Sequence, residues 1–174
     1  MKRQIDIRYA TAADNGFLAE LAARTFQDAF GEANSPENMA AFLAASYGPE
    51  IQAAELADPS VVFMIAEIAG AAAGYAQLRD GQPPSCITGD RPIELVRLYA
   101  RKEWIGSGVG AALMQACIDE AKRWGGDTLW LGVWEHNARA CAFYSRWGFR
   151  QVGSHIFQLG DDPQTDFLLQ RALG

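Results

Sequence analysis

The stretch Ile93-Glu94-Leu95-Val96-Arg97-Leu98-Tyr99-Ala100-Arg101-Lys102-Glu103-Trp104-Ile105-Gly106-Ser107-Gly108-Val109-Gly110-Ala111 decides how the rest of the chain is read. Its first part, Ile93–Ala100, has the branched and aromatic character of a strand. Its second part places Gly106, Gly108 and Gly110 at the mouth of a helical pattern over Ser107–Trp124, with Val109, Leu113, Ala116, Cys117, Ala121 and Trp124 on one face. Glycines at such a junction strip side chains from the helix entrance, so bare N–H groups and the positive end of the dipole point outward together. No Asp or Glu occupies the first two turns, where it would repel an anion. The entrance fits a phosphate or pyrophosphate, and it also fits a tight turn with no ligand.

Outward from this segment, strands and helices alternate: Thr128–Trp134 reads as a strand, Asn137–Trp147 as a helix, and Gln151–Gln158 and Thr165–Gln170 as closing strands. On the N-terminal side, Gln4–Tyr9 reads as a strand. Asp14 is placed to cap a helix carrying Phe17, Leu18, Leu21, Ala22, Thr25 and Phe26. Ser35 followed by Pro36 opens a second helix, because Pro suits the first turn and Ser supplies the cap. A third helix spans about Glu50–Leu56, and Val61–Glu67 and Ala72–Arg79 form a hairpin around Ala69 and Gly70. Gly81–Pro92 lacks any period and is long enough to have a role over a site.

The 174 residues, 49% of them hydrophobic and 11% aromatic, suit one domain over 1–174 with a sizeable core and exclude disordered and collagen-like classes. Lys and Arg number 15 against 21 Asp and Glu, and the resulting charge of −6 argues against a nucleic-acid partner. No apolar run approaches the roughly 20 residues that cross a bilayer, so no membrane partner is expected. Met1–Ala10 holds no apolar core of a secretory signal, from which a cytoplasmic location is expected. Cys86, Cys117 and Cys141 have neither C-x-x-C spacing nor neighbouring His pairs, which argues against a metal site or a disulfide frame.

Three phosphate-binding readings compete at the glycine turn. A P-loop fails, because no G-K-[ST] follows. Gly106, Gly108 and Ala111 satisfy a dinucleotide fingerprint, but the acid that should end the next strand is absent: Asp127 begins that strand and Glu135 lies too far along. The third reading is the pyrophosphate of coenzyme A. The helix Asn137–Trp147 bears on the choice: Asn137 is a good N-cap, Gly148 a good C-cap, and Tyr144 stands two turns from Asn137 on nearly the same side. A phenol of pKa ~10 can protonate a leaving thiolate whose own value is ~8.5. A core-edge tyrosine and a structural cap account for the same pair without chemistry.

Together these segments resemble the GCN5-related N-acetyltransferases. Leu98-Tyr99-Ala100, the glycine turn and the following helix are similar to their acetyl-CoA segment, and Asn137, Ala140, Phe143, Tyr144, Gly148 and Phe149 to their second motif. Trp130-Leu131-Gly132-Val133-Trp134-Glu135 and the run from His155 through Asp161, Asp162, Gln164, Thr165 and Asp166 resemble the PaiA type, whose members acetylate polyamines. Ile105, Ser107 and Ala100 depart from the residues frequent in the family. Contact there is mostly through backbone N–H, so only the lost polar side chain at Ile105 bears on affinity.

The resemblance implies an α/β fold with a mixed, mostly antiparallel sheet of about seven strands, four to five helices, and strands splayed at a cofactor wedge. It implies acetyl-CoA as co-substrate, held by Leu98, Tyr99, Ala100, Ile105, Gly106, Ser107, Gly108, Val109, Gly110, Ala111, Asn137 and Tyr144. Backbone N–H groups near Leu98, Tyr99 and Ala100 would serve as an oxyanion hole, and no cysteine nucleophile is needed. The acceptor is a small-molecule amine, a polyamine such as spermidine or spermine in the narrower reading, and the chain a monomer or homodimer. The same fold also serves non-catalytic acetyl-CoA sensors and protein N-terminal acetyltransferases.

Tyr144 is the expected acid and Glu94 the first candidate base. Glu94 precedes Leu98 by four residues and is expected on the same strand face, about 13 Å away, so that it works through water. Histone-type relatives have Glu at the matching position. Glu135 is the alternative base and His155 a possible proton relay. Asp161, Asp162 and Asp166 form an acidic segment able to attract an ammonium group, and Arg101, Lys102 and Arg139 flank the phosphate region.

Overall fold

The computed structural model describes residues 2–174. Strands β1 (Asp6–Tyr9), β2 (Val61–Ile68), β3 (Ala71–Arg79), β4 (Pro92–Ala100), β5 (Thr128–Trp134), β6 (Arg150–Leu159) and β7 (Asp162–Ala172) form one sheet ordered β1-β2-β3-β4-β5-β7-β6. Only β4 and β5 run parallel, and the other neighbours are antiparallel. The chain between them is the crossover that a parallel pair requires. It holds a 3-10 turn at Lys102–Trp104 and helix α4 (Val109–Arg123).

The two faces of the sheet bury different chemistry. On one, α4 and α5 (Ala138–Arg146) cover a largely aliphatic cluster that includes Leu78, Ile93, Leu95, Leu113, Met114 and Leu131. On the other, α1 (Asn15–Phe30), α2 (Pro36–Ser46) and α3 (Pro49–Ala57) lie over a cluster rich in aromatics, among them Phe26, Tyr47, Phe63 and Tyr75. That second face continues under the segment 80–91, where Ile87 packs on Trp130 and Leu168.

Local chemistry sets most boundaries. Ser35 Oγ accepts the Asn38 N–H at 3.1 Å with Pro36 in the first turn, as its residue types predict. Ala69 and Gly70 both take positive φ, 52° and 78°, which matches the twist of the β2–β3 hairpin. Helix α4 starts at Val109, two residues later than the periodicity indicates, because Gly108 stands at φ 96° and lies outside the helix. Strand β7 runs well beyond Thr165–Gln170 in both directions, because β5 and β6 pair with its two edges. The segment 80–91 is held down and does not hang over a cleft. Gln170 Nε2 donates to Thr88 Oγ1, and the N–H groups of Asp90 and Arg91 donate to the Asp127 carboxylate.

Candidate active site

The parallel pair at the centre of the sheet is made only at its base. Pro92, Ile93 and Glu94 face Thr128, Leu129 and Trp130, and beyond Glu94 the two strands separate. A bulge in β4 accompanies the split: Leu95 opposes Leu78 and Arg97 opposes Gln77, so Val96 is the extra residue. Bulges bend a strand and disrupt its ladder locally. Exposure shows the opening directly. Leu98, Tyr99 and Ala100 are only half-buried on a central strand and Gly132 on β5 is exposed, whereas Tyr75, Ala76 and Leu78 on β3 are inaccessible.

The groups that line this wedge follow from strand alternation. The Arg101 N–H donates to Ala73 O on β3 at 2.8 Å, so Tyr99, two residues back, also turns its backbone to β3. Leu98 and Ala100 therefore present N–H and C=O to the gap. Across it, the Glu135 N–H donates to Thr165 O on β7, which leaves the backbone of Gly132 facing the gap from the other side. Of the three β4 residues expected to offer backbone groups, Tyr99 is the exception. Its amide belongs to the sheet and its ring to the aromatic face, edge-on to Phe30 at 6.4 Å.

At the mouth of the wedge stands the glycine turn. Gly106 and Gly108 have φ 83° and 96°, conformations that favour glycine, and the N–H groups of Val109, Gly110 and Ala111 precede the first intrahelical bond, which Ala112 donates to Gly108 O. A Cβ on Gly106 would meet nothing within 4 Å, so the surface over the turn is open. Ser107 is exposed and its hydroxyl donates to Trp104 O, and Ile105 is 42% exposed with no polar atom to offer. Arg101, five residues before Gly106, has its Nε buried with no hydrogen-bond partner among the described residues. Lys102 and Arg139 are exposed nearby in sequence to the two helix starts.

Helix α5 supplies the other wall. Asn137 Oδ1 accepts the Ala140 N–H at 3.2 Å and caps the helix, leaving its NH2 group free of protein partners among the described residues. Phe143 reaches back to Gly110, whose added Cβ would sit 3.5 Å from the ring, and so ties α5 to the start of α4. Tyr144 is 9% exposed, packed edge-on to Phe149 at 5.6 Å, and among the described residues its hydroxyl has no hydrogen-bond partner. Burial pushes this phenol up from its ordinary value, which keeps it protonated. Cys117 is buried in α4 and its thiol is likewise pushed up, so it is an inert core residue.

Several side chains stand elsewhere than the sequence suggests. Glu94 does not share a face with Leu98: the extra residue Val96 inverts the alternation, and Glu94 opposes Arg79 on the face of Arg97 and Tyr99. It accepts from Arg79 at 2.7 and 3.1 Å, at the closed end of the wedge. Glu135 lies 3.3 Å from His136 just past β5. Of the acidic segment, Asp161 and Asp162 are exposed, and only Asp166 turns inward, 3.5 Å from His155 Nε2.

The face under α1–α3 also brings residues that no motif singled out, such as Phe30, Tyr47 and Glu55, up to Tyr99 and Trp134 or into the same cluster. Phe30, at the end of α1, is edge-on to both Tyr99 and Trp134, the latter at 6.0 Å. The Arg97 guanidinium lies over the Tyr47 ring at 4.6 Å and 3.5 Å from Glu55, which also accepts from Gln77. Gly132 carried the one available signal, since an isolated glycine in a strand marks a close approach.

A slot between splayed strands, open backbone amides along both sides and a helix entrance able to hold phosphate define an acyl-transfer architecture. The acetyltransferase (GNAT) family model matches residues 18–149, and the chain belongs to that family. It is 38% identical over 157 residues to an uncharacterized N-acetyltransferase of Lactobacillus delbrueckii subsp. lactis, covering 90% of each chain. Among solved structures, it is similar to the PaiA N-acetyltransferase of Thermoplasma acidophilum in complex with coenzyme A, with TM-score 0.76, 21% identity and coverage of 97% and 99%. The acetyltransferase YncA of Salmonella typhimurium, solved with acetyl-CoA, gives TM-score 0.67 and 20% identity over 98% of this chain and 95% of that one. The seven-stranded sheet and five helices are the fold that these structures share.

Proposed function

We propose that this protein moves the acetyl group of acetyl-CoA directly to a small primary amine, and that the amine is of the polyamine kind. The observation that carries the reading is the wedge: β4 leaves β5 after Glu94, and its Leu98 and Ala100 amides have no strand partner on that side. The entrance at Gly106–Ala111 suits a pyrophosphate, and the Asn137 NH2 group, without a partner among the described residues, is able to donate to a pantetheine carbonyl. Ile105, Ser107 and Val109 contribute backbone at that entrance.

The coenzyme supplies an activated acyl thioester. The chain's part is to align it, to offer Leu98 and Ala100 N–H groups where negative charge develops on the carbonyl oxygen, and to donate the Tyr144 proton to the departing sulfur. The aromatic wall of Phe30, Tyr99 and Trp134 suits the methylene chain of an amine, and Asp166 is the inward carboxylate that suits its charge.

The test is a panel of spermidine, spermine, simple alkylamines and an N-terminal peptide with acetyl-CoA, followed by release of free thiol. Preference for a polyamine supports the narrower reading, and preference for the peptide replaces it with protein acetylation. Binding of acetyl-CoA with no thiol released from any amine overturns the enzyme reading in favour of a sensor.

A further inference from the structure

Asp166 is nine-tenths buried, and among the described residues its carboxylate has one charged partner, the half-exposed His155. Trp134, Asp166 and His155 are paired across β5, β7 and β6, so their side chains share the face that carries Phe30. Gly132 lies on that face too, one alternation before Trp134. A Cβ built there would stand 3.3 Å from His155 Nε2 and 3.4 Å from Asp166 Oδ2. The pair therefore leans into the space that a side chain at 132 would fill. Gly132 is also the β5 residue whose backbone faces the wedge, so the imidazole is at the lip of the slot.

We propose that His155, held by Asp166 over Gly132, takes the proton from the acceptor amine, a role that rests on the acetyltransfer reading above. An alkylammonium of pKa ~10.4 must shed a proton before its nitrogen can attack, and an imidazole is the side chain suited to accept one near neutral pH. The first proton leaves the ammonium for Nδ1, the ring nitrogen that does not face Asp166, and passes to solvent. The nitrogen then forms its bond to the carbonyl carbon as the carbon–sulfur bond breaks, and its second proton follows the same route. The thiolate takes the Tyr144 proton, Tyr144 is refilled from solvent, and one proton is released per turnover. The buried carboxylate orients the ring and steadies the imidazolium, as an acid beside a histidine does in other proton-transfer sites.

Few other charges complicate this site. Strand β5 brings Gly132 and Trp134, β7 brings Asp166, and Glu135 and His136 beyond β5 pair with each other. Burial raises the Asp166 carboxyl and the His155 charge opposes that rise.

The chain has 2 histidines, so labelled-histidine NMR resolves His155 from His136, with His155→Gln giving the assignment. In coenzyme-free protein, Asp166→Asn is expected to move the ring resonances of His155, which the carboxylate faces at 3.5 Å. The wild-type pH profile is expected to have an acid limb that His155→Gln removes. His155→Gln should lower kcat at neutral pH by about 100-fold, with coenzyme affinity measured by calorimetry unchanged within about twofold as proof of folding. A His155→Gln enzyme that keeps kcat within about threefold across the profile, or His155 ring resonances unmoved by Asp166→Asn, overturns the proposal. So does loss of the acid limb in Glu94→Gln with its retention in His155→Gln. Each of these presupposes wild-type turnover. Its absence with every amine instead overturns the acetyltransfer reading, and the proton-transfer role with it.

Discussion

The proposed coenzyme side and the proposed acceptor side of the wedge are built in opposite ways. The coenzyme side is backbone: the Leu98 and Ala100 amides, two glycines at positive φ and the first N–H groups of α4, all within one contiguous stretch. The acceptor side is side chain: Phe30, Tyr99, Trp134, His155 and Asp166 come from α1 and four strands and meet only in the fold. A backbone site tolerates substitution of the side chains around it, as Ile105 and Ser107 illustrate. A side-chain site is exposed to each single change.

The largest effect expected from this contrast is at Tyr144. Replacement by Phe should reduce kcat by about 100-fold or more, because general-acid contributions are of that order, while coenzyme affinity stays the same. Loss of affinity with kcat retained would show that the hydroxyl belongs to the coenzyme side only. Next in size is Gly132→Ala, whose new methyl must displace His155 and Asp166 by a few tenths of an ångström. A fall in kcat of roughly tenfold is expected, by analogy with other small misplacements. An unchanged pH profile in that variant would separate Gly132 from the acceptor site.

On the coenzyme side, Gly108→Ala tests backbone alone, since its added Cβ meets nothing nearer than Ile5 at 3.7 Å. The left-handed conformation costs an L-residue about 1–2 kcal/mol, so a turn that relaxes out of it in the free protein should bind acetyl-CoA several-fold more weakly by calorimetry, with the His155 ring resonances unmoved. A variant that moved those resonances and not the affinity would reverse the assignment of the two sides.

The smallest effects are in stability and have opposite signs. Arg8 holds Asp14 down to about 2 from the ordinary 3.8, a contribution present above the unfolded value and lost as pH falls through about 4 toward 2. With Arg8 40% exposed, screening limits the pair to about 1 kcal/mol or less, so Asp14→Asn should lower Tm by no more than roughly 2–4 °C at neutral pH. Asp166 is displaced upward by burial, so its contribution is present below the unfolded value and lost as pH rises through the folded one. Asp166→Asn should hold or raise Tm at neutral pH while lowering turnover, the mark of a group kept for chemistry. A matching fall in Tm for both variants would make Asp166 a structural carboxylate.

How much of this was legible in the chain follows the same division. The Ser35 and Asn137 caps, the β2–β3 turn, the glycine turn and Tyr144 were legible because each is a property of a few consecutive residues. The face of Glu94 was not, because one extra residue at Val96 inverts the alternation and nothing local announces a bulge. The ends of β7 were misjudged because pairing on two edges extended it past its own propensity. Asp166 was seen as one of three acids in a run, and only its pairing with β5 and β6 separates it from the exposed Asp161 and Asp162.

The sequence by itself determined the order of elements, the glycine-rich entrance to α4 and the phenol on α5, since glycine conformation, helix capping and periodicity act over a few residues. Tertiary structure alone decided where β4 leaves β5, which face Glu94 occupies and which carboxylate meets the histidine over Gly132. Those depend on strand register, and register is settled by contacts between residues far apart in the chain.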